Sequence, residues 1–299
     1  VSAPDAVGAA AVPAAHEAGL RGFAQRVRTA AWLGFQIEAN WADKFTFVIY
    51  SVLRPLGLAL ILAGMYWAVT GGSVGREMFA AFYVANAFHE YVTRMVVAMG
   101  WVVVEEREEY ETLRLVFTAP IGMFTYLWGR TAVKFAQATL SIVLLLAVGW
   151  LVLGVRWDWA QVDWLPLALS LVLGIVAVVH CGFLVAGAAL LLPRAAVALN
   201  ESLGVALYLL SGVIFPIDLL PRGVQEFTLA LPFTYWYEAL RRFLLGHGAS
   251  QRLSDWPDLA LVGALALSTL VFSVFARWGY RAMEHRARRL GRIDQATLF

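Results

Sequence analysis

An all-α integral membrane protein with six transmembrane helices is the fold this sequence predicts, and three observations carry the prediction. Over 299 residues the mean hydropathy is +0.69, with 61% apolar and 15% charged residues, a poor fit to a water-soluble domain. Six apolar stretches, at about 46–70, 78–104, 136–155, 164–192, 196–215 and 258–280, are each long enough for a spanning helix, which needs ~20 residues because its backbone must satisfy itself in lipid. The charges gather largely between these stretches.

Residues 1–19 are Ala-rich and read as a disordered tail on the cytoplasmic side. Residues 20–44 place Leu20, Phe23, Val27 and Ala31 at three- and four-residue spacing, with Arg21, Arg26 and Arg28 largely on other faces. That pattern predicts a basic amphipathic helix in the membrane interface; an ordinary helix packed on protein is the alternative. The first apolar stretch lies too far into the sequence, and is too long, to be a secretory signal.

An even number of spans puts both termini on one side. With both in the cytoplasm, inside segments carry Arg21, Arg26, Arg28, Lys44, Arg107, Arg114, Arg194, Arg281, Arg286, Arg288, Arg289 and Arg292. Outside segments carry Arg76, Arg156, Arg222, Arg241, Arg242 and Arg252. Twelve against six favours that orientation, and the basic tail at 281–299 anchors it.

Several functions are excluded. A net charge of +2 gives no electrostatic footprint for nucleic acid. The five histidines are scattered and the single Cys181 lies mid-membrane, so no metal-ligand spacing and no intrachain disulfide arise. Lys44 and Lys134 are the only lysines, preceded by Asp43 and Val133, so neither is the lysine of a phosphate-binding loop.

Within the second stretch, His89, Glu90 and Arg94 are costly against lipid and should face the bundle interior or a cavity, with Glu90 and Arg94 able to pair at i,i+4. They read either as polar contacts in a transport path, together with Phe82 of an aromatic and Met-rich surface, or as a buried pair that locks the bundle; the structural reading is favoured. His180, alone on an apolar run, reads as a satisfied interior histidine. Most tryptophans fall near predicted span ends, as an interfacial belt requires. Pro216, Pro221 and Pro232 break the outer region after Phe215 into short pieces, and Glu238 and Arg241 near its end read as an outer gate or as a plain ion pair.

The least expected segment is V-V-V-E-E-R-E-E-Y-E-T-L-R-L-V-F-T-A-P, 102–120. As a helix it brings Tyr110, Leu113, Val116 and Phe117 onto one face and spreads the charges over the rest. Periodicity alone leaves two readings open, an amphipathic helix that wants a partner groove and a solvated charged loop. With its continuation through I-G-M-F-T-Y-L-W-G-R, this stretch resembles the segment after the second span in membrane subunits of ATP-binding-cassette exporters of the type 2 permease family. There an acidic residue, an Arg-Glu pair, a Thr-Leu, a T-x-P and a Gly-Arg recur. A second similar run is S-G-V-I-F-P-I-D-L-L-P-R-G-V-Q-E-F-T-L-A-L-P-F-T-Y-W-Y-E-A-L-R-R-F-L-L-G, 211–246.

The resemblance implies a six-span exporter domain over 45–280, a coupling helix at 105–119 and an outer re-entrant hairpin at 216–246. It implies that Glu105, Glu106, Arg107, Glu108, Tyr110, Thr112, Leu113 and Phe117 engage a cytoplasmic nucleotide-binding subunit, which would hold the ATP and magnesium. It further implies a second permease copy or a sister permease, membrane lipids as partners, and the plasma membrane of a prokaryote. The substrate expectation is a hydrophobic small molecule or lipid, with a glycan as the alternative; an ion-coupled secondary transporter is the rival class. One departure is visible: where the family often has Asp-Arg-Glu-x-Gly, this chain has Glu106-Arg107-Glu108-Glu109-Tyr110, and without the glycine the helix is expected to run straighter.

Overall fold

The computed structural model describes residues 20–41, 75–119 and 122–294, together with parts of 53–68. The 1–19 tail and much of the first predicted span lie outside the described residues. Among the described residues every regular element is helical.

Helix α1 (Leu20–Trp41) precedes a helical rod formed by α2 (Arg76–Tyr91), a π-helical turn (Val92–Val96), α3 (Val97–Val104) and a second π-helical turn (Glu105–Glu109). Short α4 (Leu113–Thr118) leads to the long helices α5 (Met123–Leu151) and α6 (Trp164–Leu191). A 3-10 turn (Pro193–Ala195) opens α7 (Ala196–Leu210), and the outer segment holds a turn at Ile217–Leu219, α8 (Arg222–Leu229), α9 (Pro232–Leu245) and α10 (Gln251–Ser254). The last long helix is α11 (Asp258–Arg289), followed by a turn at Arg292–Asp294.

Among the described residues three helices, α5, α6 and α11, are long and apolar enough to cross a membrane. Local sequence explains their limits. Helix α6 carries Pro166 in its first turn, where no hydrogen-bond donor is needed, and it stops before Pro193. Helix α11 begins with Asp258 and ends among Arg286, Arg288 and Arg289, charges that complement the helix dipole at both ends. Pro232 opens α9, and Gly246, in the left-handed region at φ 81°, closes it.

Helix α6 is the central post, packed against α3, α9 and α11. Its contact with α9 is the tightest: a Cβ at Gly174 would lie 2.0 Å from the Trp236 indole nitrogen, so only glycine lets that fully buried ring reach the α6 backbone. Phe183, Met99, Tyr237, Phe233 and Phe243 fill the surrounding core. Helix α1 lies along α5, with Ala30 and Gly34 buried against Gly129 and Arg130. Among the described side chains of α1 the buried stripe is therefore small residues; Val27 and Ala31 flank it, while Trp32, Leu33 and Phe35 stand exposed.

Four expected boundaries are corrected. The third apolar segment, placed at 136–155, belongs to a helix that starts at Met123, because apolarity alone does not register the helical turns around Arg130 and Lys134. The fifth, placed at 196–215, stops as a helix at Leu210, where Gly212 turns at φ 77° and Arg241 takes the Gly212 and Val213 carbonyls. The sixth, placed at 258–280, runs on to Arg289. The single helix expected at 105–119 is broken between Glu109 and Leu113.

Candidate functional site

That break is the centre of the candidate site. Missing the glycine does not straighten the chain: Glu111 takes a left-handed conformation at φ 53°, one residue after the position where the family often has glycine. For a residue with a Cβ this costs roughly 1–2 kcal/mol, so the surroundings must hold it. Tyr110 N–H reaches back to the Glu105 carbonyl at 2.9 Å, and Thr112 N–H to the Glu106 carbonyl at 2.9 Å, closing the π-helical turn before α4 departs.

Buried side chains fix the hinge. Glu106 is 3% exposed, and its carboxylate accepts hydrogen bonds from the hydroxyls of Thr112 and Tyr126. Arg107 is 4% exposed and donates from Nη1 to the Ala189 carbonyl at 2.9 Å and from Nη2 to the Leu190 carbonyl at 3.2 Å. Those carbonyls belong to the last turn of α6, whose acceptors lack intrahelical partners and whose dipole favours a cation. Burial pulls the Arg107 guanidinium below its usual pKa, and the Glu108 carboxylate opposes that shift. Glu105 pairs with Arg130 of α5 at 2.8 Å. Leu113 is buried, and Phe117 lies half-buried under the Arg288 guanidinium, 4.6 Å from ring centroid to carbon.

The predicted coupling residues therefore divide. Glu106, Arg107 and Leu113 face inward and hold the hinge to α5 and α6, so they are not presented to a partner. This corrects the expectation that all the carboxylates reach outward. The exposed face is Glu109, Tyr110, Glu111, Arg114, Leu115 and Thr118, with Leu115 64% exposed. Thr112 is half-buried as a ligand of Glu106, and Glu108 is half-buried beside Arg107.

The membrane-level residues also divide. Arg94 pairs with Glu90 at 2.8 Å, the expected i,i+4 contact. His89 points elsewhere: it is buried with Nδ1 2.8 Å from the Tyr237 hydroxyl and its ring over Tyr208. Phe82 lies under the guanidinium of Arg241, 5.5 Å from its centroid, so the predicted path residue and the predicted gate residue meet. Arg241, 2% exposed, donates to the Ala81 carbonyl at 2.8 Å and to Gly212 and Val213, and sits 3.6 Å from Glu238. Glu238 in turn accepts from the Ala249 and Ser250 amides. Phe215 and Pro216 are half-buried at the turn that Arg241 fastens. His180 bonds the Val176 carbonyl of its own helix at 2.8 Å, as a satisfied histidine should.

Sequence reasoning missed the partners that bury these charges. Tyr126 and Arg130 lie in the quoted motif continuation, yet nothing in a helical period says that they meet Glu106 and Glu105. Asn200, which bonds the Val97 carbonyl at 2.9 Å, and Tyr208, which bonds Asn86 at 2.7 Å, tie α7 to the α2–α3 rod and left no signal beyond polarity in an apolar run. Among the described residues no group of His, Cys, Asp and Glu could hold a metal ion.

A helical bundle with apolar spanning helices, and a charged hinge clamped to two of them, defines a multi-pass membrane protein. A family model described as ABC-2 type transporter (ABC2_membrane) matches residues 28–245, well over half of the chain. The chain belongs to the ABC-2 type transporter family, as a permease subunit that pairs with an ABC ATPase subunit. A comparison with curated proteins found no match for the chain.

Proposed function

We propose that the chain is the transmembrane subunit of an exporter, in which ATP hydrolysis by the partner subunit is transmitted through the hinge at 105–118 to the spanning helices. One observation carries this reading: Arg107 and Glu106 join the short helix α4 to α6 and α5, while α4 itself presents Leu115 beside Tyr110, Glu109 and Glu111. A protein that closes against this face pushes on two spanning helices at once. The six-span arrangement has both termini in the cytoplasm of a prokaryote, α1 in the interface, 216–246 as a re-entrant outer hairpin, and a second permease copy or a sister permease across the path. Magnesium and ATP are held by the partner.

The substrate proposed is a hydrophobic small molecule or a lipid. Support comes from the charges of the second span, where Glu90 and Arg94 neutralise one another and His89 is occupied by Tyr237, leaving aromatic and aliphatic surface for contact. A glycan is the alternative. Family membership sets the ion-coupled carrier aside.

Purifying the tagged chain from its native membrane in mild detergent, with mass spectrometry and an ATPase assay on the co-purifying proteins, tests the reading. A P-loop subunit near one-to-one is expected. Recovery of the chain alone, without ATPase activity, overturns it.

A further inference from the structure

We propose that Arg288 and Arg292, in the extension of α11 beyond the membrane, are positioning residues for the hinge: they brace α4 and couple its movement to α6. The proposal rests on the coupling role given above to residues 105–118 and adds the C-terminal segment to that machinery.

Helix α11 has 32 residues, about 48 Å at 1.5 Å per residue, against a hydrocarbon core of ~30 Å. Its last turns therefore project beyond the bilayer, and they are not idle. Ala287 is fully buried, and Arg288, steadied by Glu284 at 2.5 Å, lays its guanidinium over Phe117 of α4. The chain then turns at Arg292–Asp294, packs Ile293 on the core, and sends Arg292 Nη1 to the Leu191 carbonyl.

Arg107 already holds the Ala189 and Leu190 carbonyls. Three consecutive carbonyls at the end of α6 are thus taken by two guanidinium groups, one from the hinge and one from the C-terminal extension. A helix end offers these acceptors to whatever donor approaches. Here they make a junction at which α4, α6 and α11 meet. Helices α6 and α11 are themselves pressed close: a Cβ at Gly187 would lie 2.8 Å from Met283, and one at Gly279 2.8 Å from Leu184. A displacement of α4 therefore reaches the α6–α11 pair as one body.

The test compares wild type, Arg288→Ala, Arg292→Ala, Arg292→Lys and Phe117→Leu in the full chain, with its co-purifying subunit. Hydrogen exchange on the chain in detergent reads the brace without needing the ATPase. Arg292→Ala and Phe117→Leu are expected to raise exchange of the Val116 and Ala119 amides by about tenfold, which is ~1.4 kcal/mol, with amides in the middle of α5 and α6 unchanged and Arg292→Lys close to wild type. In the complex, Arg292→Ala is expected to bind the ATPase subunit in wild-type ratio, to lower kcat of its permease-dependent ATP hydrolysis, and to leave KM for ATP unchanged. Unchanged exchange in α4 overturns the brace. Looser α4 with unchanged kcat overturns its positioning role, as does a general rise in exchange for Arg292→Ala with none in α4 for Phe117→Leu. Looser α4 in a chain whose wild type brings down no P-loop subunit leaves the brace standing and refutes the coupling role on which its purpose rests.

Discussion

Replacing Arg107 by methionine removes a guanidinium that is buried at 4% exposure while keeping most of its volume. Two bonds are lost, at 2.9 and 3.2 Å to the Ala189 and Leu190 carbonyls. An orphaned buried acceptor costs roughly 1–3 kcal/mol, and two would cost about 2–6. Relief from burying the charge offsets part of this, since a buried guanidinium carries a desolvation penalty of several kcal/mol, and its Nε has no partner. The net expectation is a loss of ~2–4 kcal/mol. Arg107→Lys should fall between, because one ammonium cannot span two carbonyls as a planar fork does. Thermal unfolding in detergent, followed by size-exclusion of the folded fraction, orders the three proteins, and hydrogen exchange over 105–118 localises the change to the hinge. A methionine variant within ~0.5 kcal/mol of wild type, the range of an ordinary surface substitution, would refute the clamp, and so would a lysine variant less stable than the methionine one.

Glu111→Gly should raise stability by about 0.5–1 kcal/mol, because glycine relieves the left-handed φ of 53° at an exposed position; a lower unfolding temperature would contradict the strain. Gly174→Val should be destabilising by ~1–3 kcal/mol or more, since its Cβ would meet Trp236, whereas Gly263→Val, with open space around it, should not differ measurably in the same assay. Arg241→Met should cost ~3–5 kcal/mol by leaving the buried Glu238 without its cation and the Gly212 and Val213 carbonyls without this donor, and a folded, fully active variant would show that the outer lock is dispensable. Glu106→Lys should disrupt the hinge itself, because its carboxylate is enclosed by Thr112 and Tyr126; charge reversal at exposed Glu109 and Glu111 should instead leave unfolding unchanged and weaken retention of the ATPase subunit.

Periodicity and apolar length made much of this molecule legible. Helix α6 ends within a residue of its expected limit, and Glu90 and Arg94 pair as their spacing requires, because both depend on local chemistry. The hinge was visible as a charged segment in the right place, yet its shape was not. A helical wheel sorts residues by polarity, so it sent Glu106 and Arg107 outward with the other charges. What buries them comes from residues distant in sequence: two hydroxyls for the carboxylate, and the open end of α6 for the guanidinium. The same limitation hid the C-terminal brace, since nothing in a basic tail distinguishes Arg288 over a ring from Arg289 in solvent. The small-residue face of α1 was overlooked for a related reason: Ala30 and Gly34 contribute little to a hydrophobic stripe but permit the closest approach to α5.

Leu115 is the position from which the coupling role is most directly tested, its side chain being 64% exposed on the hinge. A photo-crosslinking amino acid placed there in the full chain, irradiated in native membranes and analysed by mass spectrometry, should join the chain to a P-loop ATPase subunit, and the yield should change when ATP is added. Capture of lipid or of this chain alone, with the same probe at Glu109 equally silent, would contradict docking at the hinge.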